Sequence, residues 1–230
     1  MHNISELENR IGYTFKDKDL LKIALTHSSY ASEHGLRYEL NNERLEFIGD
    51  GYLDAIVGGK LYEIMNAAHE GTLSRNRADV VREDSLADVA RKIKLGDYLY
   101  LGKGEESNGG RNKNSIISDA FEALLGAIII DGGFEQGQEI VLRLFEDKIN
   151  LAVEGKLNKD YKSRLQEKLQ EKYRSVKISY VLTSESGPDH DKTFNVQVEV
   201  GGKVLGKGSG KSKAKAEQAA ACDVLSKGEI

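Results

Sequence analysis

The sequence predicts a multidomain chain: an all-α N-terminal domain over residues 1–153, a linker over 154–159, and a small α+β domain of order α-β-β-β-α over 160–228. Three observations carry that expectation. Apolar residues recur at helical spacing through roughly the first 150 positions. Strict alternation appears only beyond them, where Phe194, Val196, Val198 and Val200 interleave with Asn195, Gln197 and Glu199. Charge divides at the same place: residues 158–230 hold 14 Lys and Arg against 10 Asp and Glu, and the rest hold 19 against 27. The net charge of −4 therefore hides a basic module behind an acidic one.

The elements follow in order. Leu20, Leu21, Ala24 and Leu25 mark one helix and Leu86, Val89, Ala90 and Ile93 another, each with apolar residues three and four apart. Gly102 to Asn114 (GKGEESNGGRNKN) is polar and glycine-rich and reads as a long loop, and Glu154 to Asp160 reads as a linker. Beyond it Tyr161, Leu165 and Leu169 mark a short amphipathic helix. Ile178, Tyr180 and Leu182 open a first strand, Phe194 to Val200 form a second, and Lys203 to Lys207 a third after the Gly201-Gly202 turn. An alanine-rich helix from Ser212 to Leu225 closes the order, so two helices are available to cover one face of an antiparallel sheet.

Composition narrows the function classes. With 39% hydrophobic and 30% charged residues the chain is expected to fold rather than remain disordered. Its one cysteine, Cys222, excludes an internal disulfide and a multi-cysteine zinc site, and its alanine-rich setting predicts a buried small side chain. The polar N-terminus MHNISELENR lacks the order of a signal peptide, and the longest apolar run, Leu124 to Ile130, is too short to span a bilayer. No membrane partner is expected, and a reducing, cytoplasmic setting is.

Two segments carry chemistry. In NERLEFIGD (Asn42 to Asp50), Glu43, Glu46 and Asp50 fall within about 60° of one another on a helix, with Leu45, Ile48 and Tyr52 opposite. Like charges at this spacing weaken an isolated helix, so a compensating cation is expected. In SDAFEALLGAIII (Ser118 to Ile130), Asp119 and Glu122 stand three apart on a helix apolar nearly all round, which predicts burial. Buried carboxylates are costly unless paired or metal-bound. Two such helices offer hard oxygen ligands for magnesium or manganese. The same residues also admit a plainer account: solvated surface charge, neutralisation by Arg44, and a helix-start role for Asp119 beside Ser118.

Both segments resemble the ribonuclease III family. NERLEFIGD is similar to that family's signature, NERLEFLGD, departing only at Ile48, and SDAFEALLGAI is similar to its second acidic motif. EGTLSRNRA (Glu70 to Ala78) and the GKGEE…GGR segment (Gly102 to Arg111) also resemble family segments, in family order. The resemblance implies an endonuclease domain, with metal ligation by Glu46, Asp50, Asp119 and Glu122, Asp50 and Glu122 being catalytic and Glu122 the most critical. Glu43 and Glu70 match acidic positions of a supporting shell. It implies magnesium-dependent hydrolysis of double-stranded RNA to 5′-phosphate and 3′-hydroxyl ends, with no small-molecule cofactor and with precursor RNAs such as ribosomal ones as substrates. His27, in THSSY, is read as structural. The family also implies a homodimer in which Phe47, about 40° from Glu43 on the helix, enters the partner subunit; a core phenylalanine is the alternative.

The C-terminal segment resembles a double-stranded RNA-binding domain. Ser163, Gln166 and Glu167 match polar positions of its first helix that meet the minor groove. Pro188 and His190, in GPDH, match a loop that reaches an adjacent minor groove. Lys211, Ser212, Lys213 and Lys215, in GSGKSKAKAEQAAA, match the lysine-rich helix start that meets phosphates across the major groove. A-form RNA conceals its base edges, leaving shape, 2′-hydroxyls and phosphates to be read, and lysines at a helix N-terminus suit phosphate. One departure stands out: Ala214 replaces the second of two adjacent lysines, which implies weaker affinity. Two other functions remain open at this point, a double-stranded RNA-binding regulator without cleavage and a helical dimerisation protein with incidental acids.

Overall fold

The computed structural model describes residues 3–157, 161–173, 176–188 and 192–227, the Glu171 side chain excepted. Linker residues 158–159, Asp160, His190 and residue 228 lie outside the described residues. The chain divides into two compact units, Met1–Leu157 and Asn158–Ile230.

The first unit is helical. Its elements are α1 (Ile4–Ile11), α2 (Lys18–Ala24), α3 (Ser28–Glu33), α4 (Glu43–Ile64), α5 (Glu70–Val81), α6 (Glu83–Lys92), α7 (Lys103–Ser107), α8 (Asn114–Gly132), α9 (Phe134–Leu144) and α10 (Glu146–Val153). Asp17 caps α2 by accepting from the amides of Asp19 and Leu20. Leu21, Ala24 and Leu25, and later Leu86, Val89 and Ala90, are buried as their spacing predicts. At the centre runs α8, buried on nearly every side through Ile116, Ile117, Ala120, Phe121, Leu124, Leu125 and Ile128. None of the helices among the described residues is long and apolar enough to cross a membrane.

Two glycines bring α4 and α8 into backbone contact. A Cβ on Gly49 would lie 1.9 Å from the Glu122 carbonyl oxygen, and one on Gly126 would lie 2.2 Å from that of Leu45. Side chains at either position would hold the helices apart. Because Gly49 sits between Glu46 and Asp50, and Glu122 is its contact on α8, this approach brings the two acidic segments together.

The expected loop from Gly102 to Asn114 is instead ordered as α7 followed by a 3-10 turn, Gly110–Asn112. Polar contacts hold it. Arg111 donates through Nε to Glu106 Oε1 at 2.7 Å and through Nη1 to the Gly96 carbonyl at 2.9 Å. The Lys103 amide donates to Glu33 Oε2 at 2.7 Å. Fixation by ion pairs leaves no apolar period in the sequence, so the helical turn was hidden.

In the second unit, α11 (Tyr161–Lys172) precedes an antiparallel sheet of β1 (Ile178–Ser186), β2 (Thr193–Val200) and β3 (Lys203–Gly210), in that spatial order, and α12 (Lys213–Lys227) closes it. The predicted order α-β-β-β-α is observed, with β3 running past Lys207 to Gly210. Val196, Val198 and Val200 pack on Leu165 and Leu169 of α11 and on Ala216, Ala220, Ala221 and Val224 of α12. Gly206, Gly208 and Gly210 alternate along β3, and a Cβ on each would strike α12 between 2.1 and 2.7 Å away. Cys222 is half-buried rather than enclosed, because it lies at the edge of this core beside the Tyr161 hydroxyl.

Candidate active site

The site begins where α4 begins. Asn41 and Asn42 are buried; the Asn42 amide donates to the Thr26 carbonyl at 2.9 Å, and Asn41 Oδ1 accepts from the Glu43 amide at 3.0 Å. These bonds fix the first turn, where Glu43 and Glu46 face the positive end of the helix dipole. Asp119 lies in the second turn of α8, which starts at Asn114, so it has no helix-start role.

One carboxylate oxygen from each of Glu46, Asp119 and Glu122 falls within 4.8 Å of the others, and all three side chains are half-buried. Burial pushes the Glu122 carboxyl up to about 8, and the fields of Asp50, Asp119, Glu46 and Asp54 add to it. Glu46 is raised by burial and then by Asp119, Glu43 and Asp50. Asp119 is also raised by burial, against a hydrogen bond from the Ser118 hydroxyl and the nearby His27. Carboxyls that hold protons this firmly when alone are suited to a divalent cation that replaces those protons. All the donors are hard oxygens, which suits magnesium, manganese or calcium rather than a thiophilic metal.

The sequence-predicted residues are not all gathered. Asp50 is exposed at the rim, outside the tight group, though close enough for its charge to be the largest acting on Glu122. Glu43 accepts a hydrogen bond from the Tyr38 hydroxyl, which raises that phenol, and its field reaches Glu46. Glu70 is exposed at the start of α5 and accepts from the Ser74 hydroxyl at 2.7 Å, outside the group. His27 caps α3, its Nδ1 accepting from the Ser29 amide at 3.2 Å. Sequence reasoning passed over Asp54, whose field reaches Glu122 and which pairs with Arg77 of α5 at 3.7 Å. Its spacing, one helical turn beyond Asp50, was the available signal.

Phe47 stands beside the cluster and is 80% exposed, which excludes a core role. It borders a groove of about 730 Å³ lined in part by Leu20, Ile23, Tyr38, Ile48 and Ile130.

In the second unit, Ser163 and Gln166 are exposed and Glu167 half-exposed on α11, whose Leu165 and Leu169 are buried. Pro188 is exposed after Gly187, whose φ of 97° suits a glycine turn. Ser212 caps α12, its Oγ accepting from the Lys215 amide at 3.2 Å, and Lys211, Lys213, Ala214 and Lys215 are exposed around that helix start.

Comparison with known proteins agrees with this division. Residues 17–149 match the Ribonuclease-III-like family, and residues 161–227 match the double-stranded RNA binding motif. The Ribonuclease 3 of Caldanaerobacter subterraneus subsp. tengcongensis is 50% identical over 224 residues, covering 97% of each chain. That of Treponema denticola is 45% identical over 216 residues, covering 94% of this chain and 87% of its own. The solved nuclease domain of ribonuclease III from Campylobacter jejuni is 47% identical with a TM-score of 0.59, covering 64% of this chain and 96% of that one. A second structure of that domain, 46% identical with a TM-score of 0.59 and covering 64% of this chain and 98% of that one, concerns flexibility in a region involved in its dimer formation. A helical acidic domain joined to an RNA-binding motif, matched over nearly the full length of these relatives, means that the chain belongs to the ribonuclease III family of double-strand-specific endoribonucleases.

Proposed function

We propose that the chain hydrolyses double-stranded RNA in a magnesium-dependent reaction, manganese serving as a substitute, with Glu46, Asp50, Asp119 and Glu122 as the metal ligands. The observation that carries this reading is the convergence of Glu46, Asp119 and Glu122 with the Glu122 carboxyl raised to about 8. When bound, such ions activate water and stabilise the leaving oxygen of a phosphodiester. Glu122, the most buried in character of the four, anchors the set, and Asp50 completes it from the rim. Glu43 and Glu70 form the supporting shell, steadied by Tyr38 and Ser74. Water's oxygen joins phosphorus as the bond to the 3′ oxygen breaks, and that oxygen takes a proton. The ends are a 5′-phosphate and a 3′-hydroxyl.

The RNA is held by the second domain, with residues 154–159 as linker between domains at 1–153 and 160–228. Ser163, Gln166, Glu167, Pro188 and His190 meet minor grooves, and Lys211, Ser212, Lys213 and Lys215 meet phosphates. The active form is a homodimer in which Phe47 of each copy enters the groove beside α4 of the other. The exposed Phe47 and the apolar groove at its foot support this. Processing of ribosomal and messenger precursors in the cytoplasm is the corresponding role.

An end-labelled RNA duplex, incubated with magnesium or with chelator, tests the reading. Magnesium-dependent cuts with 5′-phosphate ends, abolished by Glu122→Gln while duplex binding persists, are expected. Binding without cleavage by the unaltered chain would refute the catalytic assignment and favour a regulator that only holds RNA.

A further inference from the structure

We infer that Glu185 is an internal competitor for RNA phosphate, which occupies Lys213 and so sets the affinity and salt dependence of the RNA-binding domain. The inference rests on the reading of Lys213 as a phosphate contact.

Glu185 lies near the end of β1, directly opposite Phe194 of β2 in the antiparallel register. Residues opposite one another in such a ladder point to the same face of the sheet. Together they form a seat for Lys213, the first residue of α12. The Lys213 ammonium stands 3.6 Å from the Glu185 carboxylate and 5.9 Å from the centre of the Phe194 ring. Its neighbour is held on the same end of the sheet: Lys211 Nζ donates to the Thr193 hydroxyl at 3.3 Å, and Thr193 is paired with Ser186. Gly187 and Pro188 follow β1 at once, so the strand end, these two residues and the lysines share one edge of the domain.

The two partners of Lys213 act differently. The aromatic ring positions the ammonium without neutralising it. The carboxylate partly neutralises it, and a phosphate approaching Lys213 must displace or face a negative charge at ion-pair distance. Salt dependence of duplex binding counts the phosphates whose charge the protein neutralises, with about 0.9 in slope for each. A lysine already paired with a carboxylate releases little counterion. With the neutral Ala214 between Lys213 and Lys215, this helix start therefore has its remaining charge reduced again. The pair is exposed, so its effect on an equilibrium is at most about fivefold.

Glu185→Gln keeps the shape and removes the charge, leaving Phe194 to position Lys213. Fluorescence anisotropy of a labelled RNA duplex, in chelator to prevent cleavage and over a series of salt concentrations, is measured for four full-length chains. They are the unaltered protein, Glu185→Gln, Lys213→Ala and the double variant, each checked by circular dichroism. Glu185→Gln is expected to bind about two- to fivefold more tightly, with a slope steeper by up to about 0.9. Lys213→Ala is expected to weaken binding, and Glu185→Gln to add less than about 1.5-fold in its background. An equal gain with and without Lys213 would mean a general charge effect and overturn the inference, as would no gain at all while Lys213→Ala still weakens binding. Lys213→Ala binding like the unaltered chain would overturn the phosphate-contact reading itself, and the inference with it.

Discussion

Replacing Gly49 by alanine tests the link between the helix contact and the chemistry. The added Cβ would lie 1.9 Å from the Glu122 carbonyl oxygen, where ordinary contact begins at 3.4 Å. The obstacle is backbone on a buried helix, so no side chain can swing aside. The two helices must separate by about 1.5 Å, or α4 must rotate, and either movement carries Glu46 and Asp50 away from Asp119 and Glu122. Overpacking of this kind costs about 1–3 kcal/mol, and about 3 kcal/mol lowers the melting temperature by roughly 6–12 °C in a chain of this size. A displacement near 1 Å at reacting groups costs about a hundredfold in rate. Single-turnover cleavage of a saturating RNA duplex and thermal melting are the measurements, with Gly59→Ala as control. Gly59 is exposed on the same helix with nothing within 4 Å of a Cβ, so alanine there should leave the rate unchanged and the melting temperature equal or higher. Gly49→Ala that cleaves within twofold of the unaltered chain and melts within about 1 °C of it would refute the reasoning.

Three further outcomes are expected. Because the folded Glu122 binds its proton more tightly than an unfolded glutamate, its contribution to stability is full below 4.5 and is lost as pH rises through about 8. Without divalent cations the melting temperature should fall over that window, and magnesium should restore more at pH 8 than at pH 5; a flat metal-free profile would count against the coupled cluster. Phe47→Ala should weaken self-association about a hundredfold or more, since two copies of the side chain leave a symmetric interface, each worth about 1.5–3 kcal/mol. Sedimentation equilibrium reads this, and an unchanged dimer would remove Phe47 from the interface. Ala214→Lys, at an exposed position between two lysines, should tighten duplex binding and steepen its salt slope by up to about 0.9. Unchanged affinity and slope would show that Ala214 is no deficit.

Much of this architecture was legible because burial leaves a period. The valines of β2 alternate and are buried in alternation, and α8 is apolar nearly all round and runs through the core. The facing of Glu46 and Asp50 on α4 could likewise be read from the helical repeat. What escaped had no such period. The turn of α7 is held by Arg111, Glu106 and Glu33, and polar pairing looks like an ordinary loop in sequence. Asp54 stands one helical turn beyond the NERLEFIGD segment and pairs with Arg77, so in sequence it reads as an ordinary surface charge. Asn114 and Ser115 open α8 without a distinctive cap, so the sequence leaves a helix-start role for Asp119 open as the plainer alternative, and only the observed start at Asn114 removes it. The closeness of α4 and α8 depends on backbone shape at Gly49 and Gly126, which no hydrophobic pattern announces.

The glycines of β3 give the second domain a form of registration. Two strand residues advance about 6.7 Å and four helix residues about 6.0 Å, nearly the same step. Gly206, Gly208 and Gly210 on the strand therefore keep pace with Ala216 and Ala220 on α12, and the two backbones meet like matched rulers. A slip of one residue along the helix would put Lys215 or Glu217 in the fully buried place of Ala216, which suits only a small side chain. The helix is thus indexed along its axis as well as held in place, and with it the position of its first-turn lysines relative to the sheet. Under the RNA contacts proposed above, that position decides which groove and which phosphates are reached together, and it is set by the residues that carry the least side chain.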